Sequence, residues 1–183
     1  MTNKKVTIFG FSEAKLEDQE YQLALESAKL LAQNGFTIVN GGGPGIMRAS
    51  TEGAKLAGGK TIGVTFDPKG MTFFEGQDSG NSTDEKIVTP DYFSRTMKLL
   101  ELGDVYLFFN GGTGTVSEFG MAWGLARLFF GHHKPLILFG SWWHEVMEAF
   151  GENMHLRQQE LLVYHIVDSP EEVMQKVLDL TTA

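Results

Sequence analysis

Residues 105–119 leave this chain little freedom in how it folds: Val-Tyr-Leu-Phe-Phe-Asn-Gly-Gly-Thr-Gly-Thr-Val-Ser-Glu-Phe. Five consecutive apolar residues, 105–109, predict a strand buried on both faces. They stop at Asn110, and Gly111, Gly112 and Gly114 then predict a tight turn. From Thr115 the pattern becomes helical. A strand, a glycine turn and a helix together aim free backbone N–H groups and the positive end of a helix dipole at one point, which suits an anion. Glycine serves there because a phosphate must come close to the main chain and because some turn residues need positive φ.

A second loop of the same kind, Asn40-Gly41-Gly42-Gly43-Pro44-Gly45, follows a strand pattern at 36–39 and precedes a helix pattern at 46–57. Around these two loops the chain alternates. Strand patterns are expected at 6–9, 61–65, 85–88, 135–139 and 162–167. Helices are expected at 17–34, 90–102, 115–130 and after Ser141, with a last one opened by the capping box Ser169-Pro170-Glu171-Glu172. Thr89-Pro90 reads as an N-cap followed by proline at the first helical position. Regular alternation predicts the α/β class: a doubly wound, Rossmann-like parallel sheet whose ligand crevice lies at the carboxyl ends of the strands. No repeat, low-complexity tract or linker interrupts it, so residues 1–183 are expected to form one nucleotide-binding domain. The 67–84 stretch mixes Gly, Ser, Asn and Asp with Met71, Phe73 and Phe74. It is either a flap over a site or a surface excursion.

The helix expected at 115–130 carries Phe119, Met121, Ala122, Trp123, Leu125, Ala126, Leu128, Phe129 and Phe130 around most of its circumference. A helix apolar on all sides is buried on more than one, which points to a subunit interface.

Composition narrows the function. There is no cysteine among the 183 residues, so disulfides, thiol catalysis and thiolate metal sites are excluded. The histidines 132, 133, 144, 155 and 165 lack metal-ligand spacing, and no metal is expected. A net charge of −8 argues against a nucleic-acid partner. It leaves room for a small phosphate-bearing ligand, since local N–H groups and one arginine outweigh a screened, diffuse charge. No apolar run reaches the roughly 20 residues a membrane span needs, and the N-terminus enters a strand pattern without a long apolar leader. A cytoplasmic protein without membrane contact is therefore the expectation. Neither glycine loop carries the third glycine of a dinucleotide fingerprint or the Gly-Lys-Ser/Thr of a P-loop, so NAD and nucleoside triphosphates are disfavoured.

Two side chains near the loops have two readings each. Glu118 is either the fourth member of a capping box that starts at Thr115 or a carboxylate one turn from a bound phosphate. Arg95 is either a solvated surface arginine or a planar fork for phosphate and sugar oxygens.

Gly41-Gly42-Gly43-Pro44-Gly45-Ile46-Met47 resembles the glycine loop of the LONELY GUY (LOG) proteins, and residues 110–118 resemble their P-G-G-x-G-T-x-x-E motif. These proteins, long labelled lysine decarboxylases, are nucleoside 5′-monophosphate phosphoribohydrolases. The resemblance covers nearly the whole chain. It implies that Arg95 and Glu118 are catalytic, and that Gly42, Gly43, Gly45, Met47, Gly111, Gly112, Thr113, Gly114 and Thr115 bind phosphate and nucleotide. It also implies a homodimer and a reaction that needs no cofactor. Decarboxylation has no support, since no motif marks a pyridoxal phosphate lysine. Two positions depart from the family pattern: Asn110 stands for its motif proline, and Thr96 for the lysine that follows its arginine. These departures favour the alternative, a nucleotide- or phosphate-cofactor-binding protein such as a molybdenum-cofactor carrier. Base preference is not written in any residue.

Overall fold

The structure, a computed structural model, describes residues 4–68, 71 and 77–181. Among these residues, seven parallel strands form one sheet flanked by six α-helices. In chain order they are β1 (Lys5–Phe9), α1 (Gln19–Gln33), β2 (Thr37–Asn40), α2 (Ile46–Leu56), β3 (Thr61–Phe66), β4 (Glu85–Thr89), α3 (Tyr92–Leu102), β5 (Val105–Phe108), α4 (Thr113–Leu128), β6 (Leu136–Phe139), α5 (Trp142–Asn153), β7 (Tyr164–Val167) and α6 (Pro170–Thr181). The strand order is β4-β3-β2-β1-β5-β6-β7. The chain winds outward one way from β1 and the other way from β5, so the switch point lies between their carboxyl ends. This is the α/β, Rossmann-like sheet that the alternation predicts.

The two-residue period of the strands sorts side chains onto two layers. Val105, Leu107 and Phe109 join Val6 and Ile8 under α1, α2 and α6. Tyr106 and Phe108 join Phe9 on the other face, under α3, α4 and α5. Phe108 is fully buried, stacked on Phe9 at 4.6 Å and met edge-on by Phe119 of α4 at 5.6 Å. Burying a side chain of this size stabilises the fold by about 2–3 kcal/mol, and here it also seats α4 on the sheet.

Several expectations change in detail. The cap of α3 is Asp91, whose carboxylate accepts from the Ser94 N–H at 2.8 Å; Thr89 is still in β4, its hydroxyl donating to the Thr65 carbonyl. A carboxylate two residues further on competes better for the first-turn amides than the threonine does. Helix α4 starts at Thr113, two residues early, because Val116 N–H closes the first turn on the Gly112 carbonyl. Its surface is not buried all round: Phe119, Ala122 and Ala126 face the sheet, while Val116 and Leu128 stand exposed. Ser141 occupies the cap position of α5, but its hydroxyl makes no capping bond. At α6 the Glu172 N–H donates to Ser169 Oγ, and the Glu172 carboxylate accepts from Asp168 N–H. A short 3₁₀ helix at Gln158–Leu162, unforeseen in the sequence, precedes β7. Of the 67–84 stretch, residues 69–70 and 72–76, including Phe73 and Phe74, lie outside the described residues, and with them most of the flap question.

Candidate functional site

At the switch point lies a cleft of about 430 Å³. It is walled by the β1 exit (Gly10, Phe11, Ser12), by Gly41 and Met47 of the first glycine loop and α2, by Phe66, Met71, Tyr92 and Arg95, and by Gly112, Thr113, Gly114, Thr115 and Glu118. Backbone hydrogen bonds hold the walls together. Phe11 N–H donates to the Asn110 carbonyl at 2.8 Å, and Ile46 N–H donates to the Phe11 carbonyl at 2.9 Å. Gly45 must be glycine: its φ is +62°, and a Cβ there would stand 2.2 Å from the Phe11 carbonyl oxygen.

The second glycine loop opens onto this cleft as the start of α4. Gly112 caps the helix with no side-chain oxygen closing its first turn, and Gly112, Thr113 and Gly114 are exposed. The first-turn amides of a helix have no intrahelical acceptor; here the residues that carry them line the cleft, with the positive end of the helix dipole behind them. Gly111 is placed differently. It lies outside the lining, and its N–H donates to the Asn110 side-chain oxygen at 2.8 Å. Asn110 also gives its backbone N–H to the half-buried Glu20 carboxylate, a bond that a proline at this position could not make.

Arg95 and Glu118 meet on the cleft wall, both buried, with Nη1 to Oε1 at 3.3 Å. Arg95 is held on three sides: Nε donates to the Val64 carbonyl at 3.1 Å, Nη2 to the Gly41 carbonyl at 3.3 Å, and Nη2 also lies 3.8 Å from Met47 Sδ. The surface reading of Arg95 thus gives way to a buried one. Glu118 does not close a capping box. It projects from the second turn of α4 toward the guanidinium, because a buried carboxylate gains more from a cation than from one more amide. Burial pushes the Glu118 carboxyl up to about 7, against the opposing pull of Arg95. At neutral pH such a group exists in both protonation states.

Of the glycines singled out in the first loop, Gly42, Gly43 and Gly45 are not among the lining residues; Gly41 is, and Met47 with it. Gly41 owes its place to Arg95, since a Cβ there would fall 1.8 Å from Nη2. Thr96 is buried, with its hydroxyl on the Tyr92 carbonyl, and does not reach the cleft. Sequence reasoning passed over Tyr92. Its hydroxyl lies 2.8 Å from Ser117 Oγ, which itself donates to the Gly114 carbonyl, so Tyr92 is the donor of that pair. The signal was its position: the first residue of a helix that starts at the strand ends.

Comparison with known proteins follows the same line. Residues 3–174 match the profile of the SLOG cluster4 family. A cytokinin riboside 5′-monophosphate phosphoribohydrolase of Mycobacterium tuberculosis is 34% identical over 124 residues, which is 67% of this chain and 64% of that protein's own length. Among solved structures, the target TM1055 superposes with a TM-score of 0.75 at 26% identity, covering 96% of this chain and 99% of the other. The molybdenum cofactor binding protein of the phototrophic bacterium Rippkaea orientalis superposes at 0.72 with 24% identity, over 98% of each chain, a likeness of fold. No helix among the described residues is long and apolar enough to cross a membrane. With a matching profile over nearly its whole length, a LOG-like pair of glycine motifs and a switch-point cleft, the chain belongs to the SLOG cluster4 family.

Proposed function

We propose that the protein hydrolyses the N-glycosidic bond of nucleoside 5′-monophosphates, releasing the free base and ribose 5-phosphate. The observation that carries this reading is the buried Glu118 carboxyl, set on the cleft wall one turn inside the open N-terminus of α4 and paired with Arg95. The phosphate binds the amides of Gly112, Thr113, Gly114 and Thr115. That anchors the ribose over Glu118. As the C1′–N bond breaks, positive charge grows on the sugar, and an ionised Glu118 stabilises it in a site already organised to do so. Water adds to C1′ and gives up a proton, for which Glu118, poised near neutrality, is the acceptor; the departing base takes up a proton from solvent, to which Glu118 afterwards returns its own. Arg95 fixes the carboxylate and offsets the negative charge of the substrate. Phe11, Phe66 and Tyr92 line the same cleft and supply flat apolar surface, suited to a purine or pyrimidine.

The protein works as a homodimer in this account. The exposed apolar residues Phe93 and Met97 of α3 and Val116 and Leu128 of α4 supply the surface for it.

A carrier function is the second reading. Asn110, Thr96 and the likeness of fold to a molybdenum cofactor binding protein favour it. One experiment separates the two. The purified protein is incubated with AMP, and free adenine is measured by chromatography. Release that disappears in Glu118→Gln, with nucleotide binding retained, supports the hydrolase; AMP recovered intact after long incubation supports the carrier.

A further inference from the structure

The first glycine loop sits on a pair of buried asparagines that the reaction itself does not use. Asn40 is fully buried, and all its hydrogen-bonding capacity is engaged. Its Oδ1 accepts from the Gly42 N–H at 2.9 Å and from Asn81 Nδ2 at 3.3 Å; its Nδ2 donates to Ser50 Oγ at 3.1 Å and Thr51 Oγ1 at 2.8 Å. Asn81, from the segment between β3 and β4, also donates Nδ2 to the Gly43 carbonyl at 2.8 Å. Both neighbours of Nδ2 are acceptors, so the amide of Asn81 cannot be turned over without setting oxygen against oxygen. Its own Oδ1 is buried and finds no partner among the described residues. An orphaned buried oxygen costs stability, so the Asn81 amide is kept here at a cost.

The Gly42 N–H belongs to the same planar peptide as the Gly41 carbonyl. In a trans peptide these two groups point in opposite directions, and no cis peptide occurs among the described residues. One side of this plane is held by Asn40; the other accepts Arg95 Nη2 at 3.3 Å. Both flanking residues are glycine, with Gly42 at φ +70°, so no Cβ resists rotation of the plane. Hydrogen bonds alone set its direction.

We propose that Asn40 and Asn81 are positioning residues: they lock the Gly41–Gly42 peptide with its carbonyl toward Arg95, and so hold the guanidinium against Glu118. The 77–84 segment adds a second grip, since Asp78 N–H donates to the Gly42 carbonyl at 3.0 Å. A peptide turned the other way presents an N–H to the guanidinium and drives it off. Arg95 is the charged side chain found against Glu118 among the described residues, and it holds the Glu118 carboxyl down against burial. The inference rests on the hydrolase reading only for its effect on turnover.

The test is Asn81→Leu, which keeps the bulk and removes the donor to Gly43 and Asn40 without adding a charge that would itself raise the Glu118 midpoint. The Glu118 side-chain carbon is titrated by NMR in the free protein, without nucleotide. A midpoint about one unit above the wild-type value is expected; an unchanged midpoint in a folded variant overturns the inference. If the variant does not fold, the wild type decides by amide exchange. The Gly42 N–H is expected to exchange about a hundredfold more slowly than that of Gly112, and equal rates overturn the inference. Neither readout involves AMP cleavage. A protein that fails to cleave AMP therefore leaves this inference standing, and an unmoved Glu118 leaves the hydrolase reading standing.

Discussion

The two glycine loops look alike in sequence, and the molecule treats them in opposite ways. Each begins Asn-Gly-Gly, each leaves a parallel strand, and each enters a helix. In the first, Asn40 takes the Gly42 amide, Asn81 the Gly43 carbonyl and Asp78 the Gly42 carbonyl, and the Ile46 amide at the start of α2 is bound to Phe11. In the second, Asn110 takes one amide, that of Gly111, and the start of α4 is left open at the cleft. On the reading proposed above, the first loop is a frame for Arg95 and the second a receptor for an anion. A run of glycines marks where the backbone must come close to something. Whether that something is a ligand or the protein itself depends on which polar groups remain unspent.

This contrast is open to direct attack. The largest effect is expected at Glu118, which the receptor loop presents: Glu118→Gln should lower AMP turnover about a thousandfold with nucleotide affinity nearly unchanged, as measured by steady-state kinetics and calorimetry. Next comes a matched pair of glycine substitutions. Gly41→Ala puts a methyl group 1.8 Å from Arg95 Nη2 and should destabilise the fold by about 1–3 kcal/mol while disabling the site. Gly112→Ala meets nothing within 4 Å and should leave stability within about 0.5 kcal/mol, so its effect should appear in phosphate binding alone. Equal losses of stability in a denaturant series would erase the distinction between frame and receptor.

A third prediction concerns pH. The carboxyl of Glu118 sits at about 7 in the folded protein and near its ordinary 4.5 when unfolded. The folded state therefore binds the extra proton between these values, and stability from this group is complete below about 4.5 and falls as pH rises toward 7. The difference in unfolding free energy between wild type and Glu118→Gln, measured across that window, should change in that direction and level off above it. The smallest effect is expected at Ser117. Ser117→Ala removes the acceptor of Tyr92 at the rim of the receptor loop and should cost about 1 kcal/mol or less by thermal denaturation.

The fold was legible because the strands carry it locally. The 105–109 run and the alternation of patterns need no distant partner to be read, and the observed β5 and its neighbours follow them within a residue or two. Errors arose where a residue far along the chain decides. The Thr115–Glu118 spacing is a sound capping box by local rules, but Arg95, 23 positions away, claims the carboxylate. Proline after Thr89 suggested a helix start, and Asp91 outcompeted it. The apolar run of α4 was legible as unusual, but its sequence does not say which residues face the sheet. In the site, Arg95 and Glu118 could be singled out by chemistry, whereas Asn40 and Asn81 could not. Their importance lies in a contact across 41 positions that leaves no local mark.

The most direct test of the account follows the backbone amides of ¹⁵N-labelled protein as AMP is added. The amides of Gly112, Thr113, Gly114 and Thr115 should shift most, together with the Glu118 side chain, while those of Gly42 and Gly43 stay nearly still. Shifts centred on Gly42 and Gly43, with the start of α4 unmoved, would contradict it.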